Sequence, residues 1–135
     1  MVKQALRQHV SSGSPYESVL GSCRAVRVGN YIAVAGTAPI GKDGRVVALG
    51  DVAAQARRCL EIIEKALSDL GSGLSHVVRT RLLLTQMANW EVVARVHGEY
   101  FRDHPPANTI MQTQFADPQI LIEIEADAVV SNSEP

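Results

Sequence analysis

The chain has 135 residues, of which 46% are hydrophobic and 20% charged, and its formal net charge at pH 7 is -1. This length is typical of one domain with its own core, and the charge balance gives no general reason to expect nucleic acid or an anionic membrane as a partner. The sequence begins without the apolar run of a secretory signal and contains no segment long enough to span a membrane. We therefore expect a single cytoplasmic domain over residues 1–135, with Cys23 and Cys59 reduced.

The first part of the chain is predicted to be an irregular arm followed by short strands. Residues 1–19 are polar and interrupted by serine, glycine and proline, which predicts an arm that leans on the domain. Two strands are predicted over Cys23 to Val28 and Tyr31 to Ala35, because Gly29-Asn30 between them suits a tight hairpin. A short edge strand is predicted from Val46 to Leu49.

Two amphipathic helices are predicted, with a strand between them. The first begins after the N-cap Asp51, runs to Leu70 with apolar residues at helical spacing, and ends at Gly71. Val77 to Thr85 alternates as a strand, and the strand-helix-strand order predicts a right-handed crossover with parallel strands. The second helix begins at the cap Asn89 and ends before the prolines at positions 105 and 106.

His97 falls at the centre of the apolar face of the second helix, between Trp90, Val93 and Phe101. A histidine in this position needs a hydrogen-bond partner. It is either a satisfied core histidine or a ligand-facing group at the edge of a cleft, and the sequence leaves both interpretations open.

The most regular pattern lies near the end of the chain. From Ile120 to Val130 the even-numbered positions are apolar, and Glu123, Glu125 and Asp127 lie on the other side, as in a half-buried strand. Residues 108–115 precede it through a turn at residues 116–119, which predicts a hairpin. The predicted register sets Phe115 opposite Ile120, and Gln112 and Asn108 opposite Glu123 and Asp127. The carboxylate face is either a solvated outer surface or a partner-covered interface that contains a site.

The predicted order is β-β-β-α-β-α-β-β, an α+β domain in which two helices cover one face of a mixed sheet, followed by a polar tail over residues 131–135. The other sheet face has no cover within the chain, so it is a candidate for contact between copies. The four histidines lack metal-ligand spacing, and we expect neither a metal nor a cofactor.

The residues resemble the reactive intermediate deaminase family, also called the Rid, YjgF-type or endoribonuclease L-PSP-like family, from about Gly21 to Val130. Five short motifs support the resemblance: Ala25-Val26 before Gly29-Asn30, Val34-Ala35-Gly36, Asp51 to Gln55, Pro106-Ala107, and Ile122-Glu123-Ile124-Glu125-Ala126. The resemblance implies a chorismate-mutase-like fold, assembly as a homotrimer, and small-molecule clefts between subunits.

Active members of that family use an arginine to bind the substrate carboxylate and a glutamate near the attacking water. Glu123 matches this glutamate and Gly36 matches a cleft glycine, but the arginine position holds Asn108. A neutral amide cannot reproduce the charged, bidentate contact of arginine. Four other site positions also depart from the family pattern: Ser22, Ala35, His97 and Ile110. The chain therefore resembles a branch without the arginine, and residues 12–17 resemble an N-terminal motif of such a branch.

The resemblance assigns roles to nine residues. Glu123 and His97 are the candidate catalytic pair; the candidate ligand contacts are Tyr16, Arg24, Gly36, Thr37, Asn108, Thr109 and Ile110. We expect Asn108 and His97 to lie near Glu123 in the cleft, with Glu125 and Asp127 at the interface or in solvent.

Three functions remain open from the sequence. The first is hydrolysis of a small imine, enamine or related metabolite other than a typical 2-imino acid. The second is binding of a small metabolite without catalysis. The third is a ribonuclease, which ranks last because it needs a basic surface, and only Arg24, Arg27, Arg79 and Arg81 are candidates to form one.

Overall fold

The computed structural model describes residues 6–131, which form an α+β unit around one mixed sheet. The strands are β1 (Arg7–Val10), β2 (Ala25–Val28), β3 (Tyr31–Thr37), β4 (Val77–Leu84), β5 (Ala107–Gln112) and β6 (Ile122–Val129), and the helices are α1 (Glu17–Leu20), α2 (Val52–Asp69) and α3 (Trp90–Phe101). The strand order is β1-β2-β3-β6-β4-β5. Among the strands of residues 6–131, only β4 and β5 are parallel neighbours. No helix in this part of the chain is long and apolar enough to cross a bilayer.

The core lies between the sheet and the two long helices, and β6 runs through its centre. The even-numbered residues of β6 from Ile122 to Ala128 are at most 2% exposed, because α2 packs on this side of β6 and β3. Helix α3 packs beside α2. The prediction of a mixed sheet with two main helices on one face is confirmed.

The crossover through α2 also has the predicted strand orientation. Strands β3 and β4 are both antiparallel to β6 and are therefore parallel to each other, with β6 inserted between them. Asp51 caps α2 as predicted, since its Oδ1 accepts a hydrogen bond from the Ala54 amide at 3.1 Å. Gly71 follows the helix with a φ of 77°, a backbone conformation that favours glycine.

The predicted hairpin between the last two strands is wrong. Strand β4 lies between β5 and β6, and β5 pairs in parallel with β4, with Asn108 opposite Thr80. Side-chain alternation indicates which face of a strand is buried but not which strand is its neighbour. The apolar residues of β6 favour a position in the centre of the sheet. Residues 113–121 connect β5 to β6 past the end of β4.

The N-terminal arm is more regular than predicted. Residues Arg7–Val10 form the edge strand β1, which pairs antiparallel with β2, so the irregular arm is a wrong prediction for this stretch. The pairing satisfies backbone donors and acceptors that β2 would otherwise expose. Residues 1–5 of the predicted arm, and residues 132–135 of the predicted tail, lie outside the described residues.

Two other local predictions are corrected. The stretch from Val46 to Leu49 forms no strand, only a bridge between Val46 and Ile40, because Ala48 adopts a left-handed φ of 50° that a strand cannot contain. Asn89 precedes α3 without a side-chain cap hydrogen bond. Trp90, placed on the apolar face by its spacing, is 48% exposed at the first turn of the helix.

Gln55 joins three parts of the fold through a fully buried amide. Its Nε2 donates to the carbonyls of Gln119, at 3.0 Å, and Val47, at 3.2 Å, and its Oε1 accepts from the Leu121 amide at 2.9 Å. These bonds fix the segment before β6 and the loop before α2. Because they are buried, loss of the side chain leaves backbone groups without partners.

We predict that Gln55→Ala lowers the free energy of unfolding by about 2–4 kcal/mol, since a cavity adds to the lost buried hydrogen bonds. Chemical denaturation at one protein concentration measures this. The matched control is Gln119→Ala, because the exposed Gln119 contributes only its backbone carbonyl. Equal stability of the two variants would contradict the structural role of Gln55.

Candidate functional site

The uncovered face of the sheet displays three carboxylates in a row on β6, and they differ in their partners. Asp127 accepts a hydrogen bond from the Tyr31 hydroxyl at 3.0 Å and lies 3.7 Å from Arg79 Nε. Glu125 pairs with Arg81 Nη1 at 3.2 Å. Within residues 6–131, Glu123 forms neither an ion pair nor a side-chain hydrogen bond. Glu123 is thus the carboxylate of this row that is available to an incoming molecule.

Glu123 is half-buried beside Gly36, and the glycine makes room for it. A Cβ on Gly36 would lie 2.9 Å from Glu123 Oε1, so a larger residue would push the carboxylate away. Burial raises the pKa of Glu123, the nearby positive charge of Arg24 opposes this shift, and the charge of Glu125 adds to it. A carboxyl in such surroundings is suited to proton transfer.

A bulge in β3 creates this arrangement. The register with β6 shifts between Val34 and Thr37, which directs Gly36 toward the carboxylates. Arg24 fixes the bulge from its other side, since its Nη1 donates to the Gly36 carbonyl at 2.9 Å and to Thr37 Oγ1 at 3.0 Å. Thr37 is fully buried and donates in turn to the Ala35 carbonyl at 2.7 Å.

A second group of site residues lies on the helix-covered face, at the edge formed by α3 and β5. Asn108 Nδ2 donates to Thr80 Oγ1 at 2.9 Å, and Thr80 Oγ1 lies 2.8 Å from His97 Nε2. The His97 ring also packs against Phe101, with 4.5 Å between ring centroids. Burial lowers the pKa of His97, which favours its neutral form at pH 7.

This hydrogen-bond chain lines an open cleft of about 270 Å³. The cleft is lined by Leu82, Ala94, His97, Gly98, Phe101, Arg102, Pro105, Pro106, Asn108 and Ile110. His97 is therefore both a hydrogen-bonded, half-buried histidine and a cleft residue, which combines the two interpretations that its sequence left open.

The structure does not bring all predicted site residues together within one chain. Glu123 and Gly36 lie on the uncovered face, whereas His97, Asn108 and Ile110 lie on the helix side. Strand alternation separates them, because Thr80, which contacts His97, pairs with Ala126 of β6, and Ala126 points away from Glu123. A Glu123–His97 pair within one copy is excluded by this geometry.

The remaining predicted contacts are dispersed. Tyr16 and Arg24 line a larger cleft under the N-terminal segment. Thr37 is buried behind the bulge, and Thr109 is exposed on β5 opposite Arg81. Thr80 was missed as a site residue. Its only signal was a hydroxyl at a buried register position of β4. Among residues 6–131, no group of three or more His, Cys, Asp and Glu side chains is arranged to hold a metal ion.

Comparison with known proteins agrees with the motifs. The family model described as endoribonuclease L-PSP matches residues 17–130. The chain belongs to the Rid/YjgF family. A crystal structure of Rv2704, a YjgF/YER057c/UK114 family member from Mycobacterium tuberculosis, is 41% identical, with a TM-score of 0.83 over 93% of this chain and 100% of that one.

Two curated relatives match most of the chain. A 3-aminoacrylate deaminase, RutC, from Acinetobacter baylyi is 35% identical over 78% of this chain and 84% of its own length. An uncharacterized protein from Streptomyces coelicolor is 33% identical over 95% of both chains.

The burial of Glu123 predicts a pH-dependent stability difference between the wild type and Glu123→Gln. Because the folded-state pKa is raised, the contribution of Glu123 to stability is fully present below its unfolded pKa of about 4.3 and is lost as pH rises through the folded value. Glutamine does not titrate. Urea unfolding at one protein concentration should show the variant gaining stability relative to the wild type as the pH rises above the unfolded pKa. A difference independent of pH would refute the burial argument.

Proposed function

We propose that this Rid-family chain forms a homotrimer that binds a small metabolite with a reactive C–N bond in clefts between copies, and that it promotes hydrolysis of that bond. The observation that supports this most is the separation of Glu123 from His97 and Asn108 by the sheet. Polar groups with site character on opposite faces form one cleft only if two copies meet.

The uncovered face has the composition of a contact surface. Tyr31, Met111 and Val129 lie on the same face as Glu123 by strand register and are each at least 45% exposed. Exposed apolar side chains beside paired charges are typical of a surface that another protein copy covers. Burial by a second copy would also raise the pKa of Glu123 further.

The proposed chemistry is addition of water to an imine carbon. Glu123 accepts a proton from water as the oxygen forms a bond to that carbon, and the imine nitrogen gains a proton. Collapse of the resulting carbinolamine breaks the C–N bond, so that imine and water give a carbonyl compound and ammonia. In this proposal, neutral His97, which hydrogen bonds to Thr80, contacts the nitrogen or oxygen of the ligand from the neighbouring copy.

The substrate class follows from one relative and one residue. The Acinetobacter baylyi relative is named for its action on 3-aminoacrylate, an enamine, which supports C–N chemistry for this chain. Asn108, at the position of the arginine in active family members, donates its amide to Thr80 and adds no positive charge of its own, and Arg102, which also lines the helix-side cleft, is exposed to solvent. We therefore propose an imine or enamine without the carboxylate of a 2-imino acid.

Binding without catalysis is the second candidate, favoured because Asn108, Thr80 and His97 already hydrogen bond to one another. Ribonuclease activity has less support. Arg79 and Arg81 are near Asp127 and Glu125, and Arg27 Nη1 donates to the Leu70 carbonyl. These arginines do not form an uncompensated basic surface of the kind that binds phosphates.

We expect the wild type to release ammonia faster than the buffer from an uncharged aldimine generated by an amine oxidase. Little acceleration is expected with 2-iminopropionate generated by an amino-acid oxidase. Rates with 2-iminopropionate that equal or exceed those with the aldimine would show that an arginine at position 108 is dispensable and that the proposed substrate class is wrong.

Glu123→Gln should lower the aldimine rate by roughly 100-fold to 10,000-fold, the usual range for loss of a general base. Gly36→Ala should also reduce it, because the new Cβ displaces the carboxylate. The matched control is Gly73→Ala, since a Cβ there meets nothing within 4 Å and the backbone is extended. Unchanged rates in Glu123→Gln would show that Glu123 is not the general base.

A further inference from the structure

The two ring nitrogens of His97 have different surroundings. Nε2 lies 2.8 Å from the Thr80 hydroxyl. Nδ1 has no hydrogen-bond partner among residues 6–131, and Arg102, which lines the same cleft, does not bind it. Nδ1 is also not one of the buried polar atoms without a partner in this part of the chain, so solvent reaches it. Because a neutral imidazole has one N–H, the contact at Nε2 decides whether Nδ1 is a donor or an acceptor.

The hydroxyl oxygen of Thr80 already accepts a hydrogen bond from Asn108. Asn108 Nδ2 lies 2.9 Å from Thr80 Oγ1 and 3.4 Å from the backbone carbonyl oxygen of Thr80. A carbonyl oxygen can only accept, so the amide nitrogen of Asn108, and not its oxygen, faces Thr80. The Thr80 hydroxyl therefore still has its own proton to donate.

His97 Nε2 is the acceptor that the structure offers for this proton. Solvent does not reach the Thr80 side chain, which is 0% exposed. The hydroxyls of Thr37 and Thr85 donate to backbone carbonyls, but within residues 6–131 the Thr80 hydroxyl has no carbonyl acceptor. If Nε2 carried the ring proton, Oγ1 would accept from both neighbours and its own proton would be buried without a partner. Such an unsatisfied donor disfavours this form at least about fivefold.

We propose that Thr80 is a positioning residue that holds neutral His97 in the form protonated at Nδ1. In this form Nε2 accepts the Thr80 hydroxyl proton, and Nδ1–H is the polar group of the ring that solvent reaches. A ligand that hydrogen bonds to neutral His97 must then offer an acceptor, such as a carbonyl oxygen or an unprotonated imine nitrogen. This consequence for the ligand rests on the proposed function, whereas the position of the proton does not.

Two-bond ¹H–¹⁵N spectra of the full chain labelled with ¹⁵N-histidine measure which ring nitrogen carries the proton. The spectra are recorded at a pH above the titration of the rings, and His97→Gln assigns the signals. His104 is an internal reference, since its exposed ring forms no side-chain hydrogen bond with the described residues. We expect the ratio of the Nδ1–H form to the Nε2–H form to be at least about fivefold higher in His97 than in His104. A ratio no higher than that of His104 would overturn the inference without any variant of Thr80 having to fold.

Variants of Thr80 test whether its hydroxyl is the cause. Thr80→Val keeps the shape of the side chain without the hydroxyl, and the ratio in His97 should fall at least about fivefold. Thr80→Ser keeps the hydroxyl and should retain the wild-type ratio. The matched control is Thr85→Val, which removes a hydroxyl that donates to the Leu121 carbonyl. Backbone amide spectra check the fold of each variant. An unchanged ratio in folded Thr80→Val would show that Thr80 does not place the proton.

Kinetics separate this inference from the proposed hydrolysis. If His97 donates from Nδ1 to the substrate, Thr80→Val should lower kcat with the aldimine at least about fivefold, and Thr80→Ser should not. A wild type with the expected ring proton but without hydrolysis would refute the proposed function alone. Hydrolysis by a wild type whose His97 is protonated at Nε2 would refute this inference alone.

Discussion

The alternation of β6 is the constraint on which the rest of the structure depends. Burial of its even-numbered side chains under α2 fixes the strand in the centre of the sheet and directs Glu123, Glu125 and Asp127 to the uncovered face. A register slip of one residue would bury three carboxylates and expose the core. His97 and Asn108 lie on the helix-covered face of the same sheet. A site that combines them with Glu123 therefore needs two copies of the chain.

The bulge in β3 sets the surroundings of the Glu123 carboxylate. Gly36 leaves space for the Glu123 carboxylate on one side, and its carbonyl accepts a hydrogen bond from Arg24 on the other. Arg24 thereby holds the backbone beside Glu123 and opposes, through its charge, the rise in the pKa of Glu123.

Sequence patterns predicted the elements better than their neighbours in the sheet. The helix capped by Asp51 and the polarity of β6 were predicted correctly, because capping and alternation are local properties. The pairing of β5 was not predicted correctly, because it depends on the strand beside which the chain returns after α3. The family resemblance identified Glu123 and Gly36, which are adjacent. The roles of Thr80 and Gln55 depend on tertiary hydrogen bonds that no local pattern specifies.

Subunit mixing tests most directly whether the site needs two copies. Glu123→Gln removes the carboxylate, and Asn108→Trp blocks the smaller cleft from an exposed edge position. Sedimentation first establishes that each variant and their equal mixture, assembled together, form trimers. If the site lies between copies, random mixing of two inactive variants restores about a quarter of the wild-type sites, which is measured as aldimine hydrolysis. A mixed trimer as inactive as its parents would contradict the account.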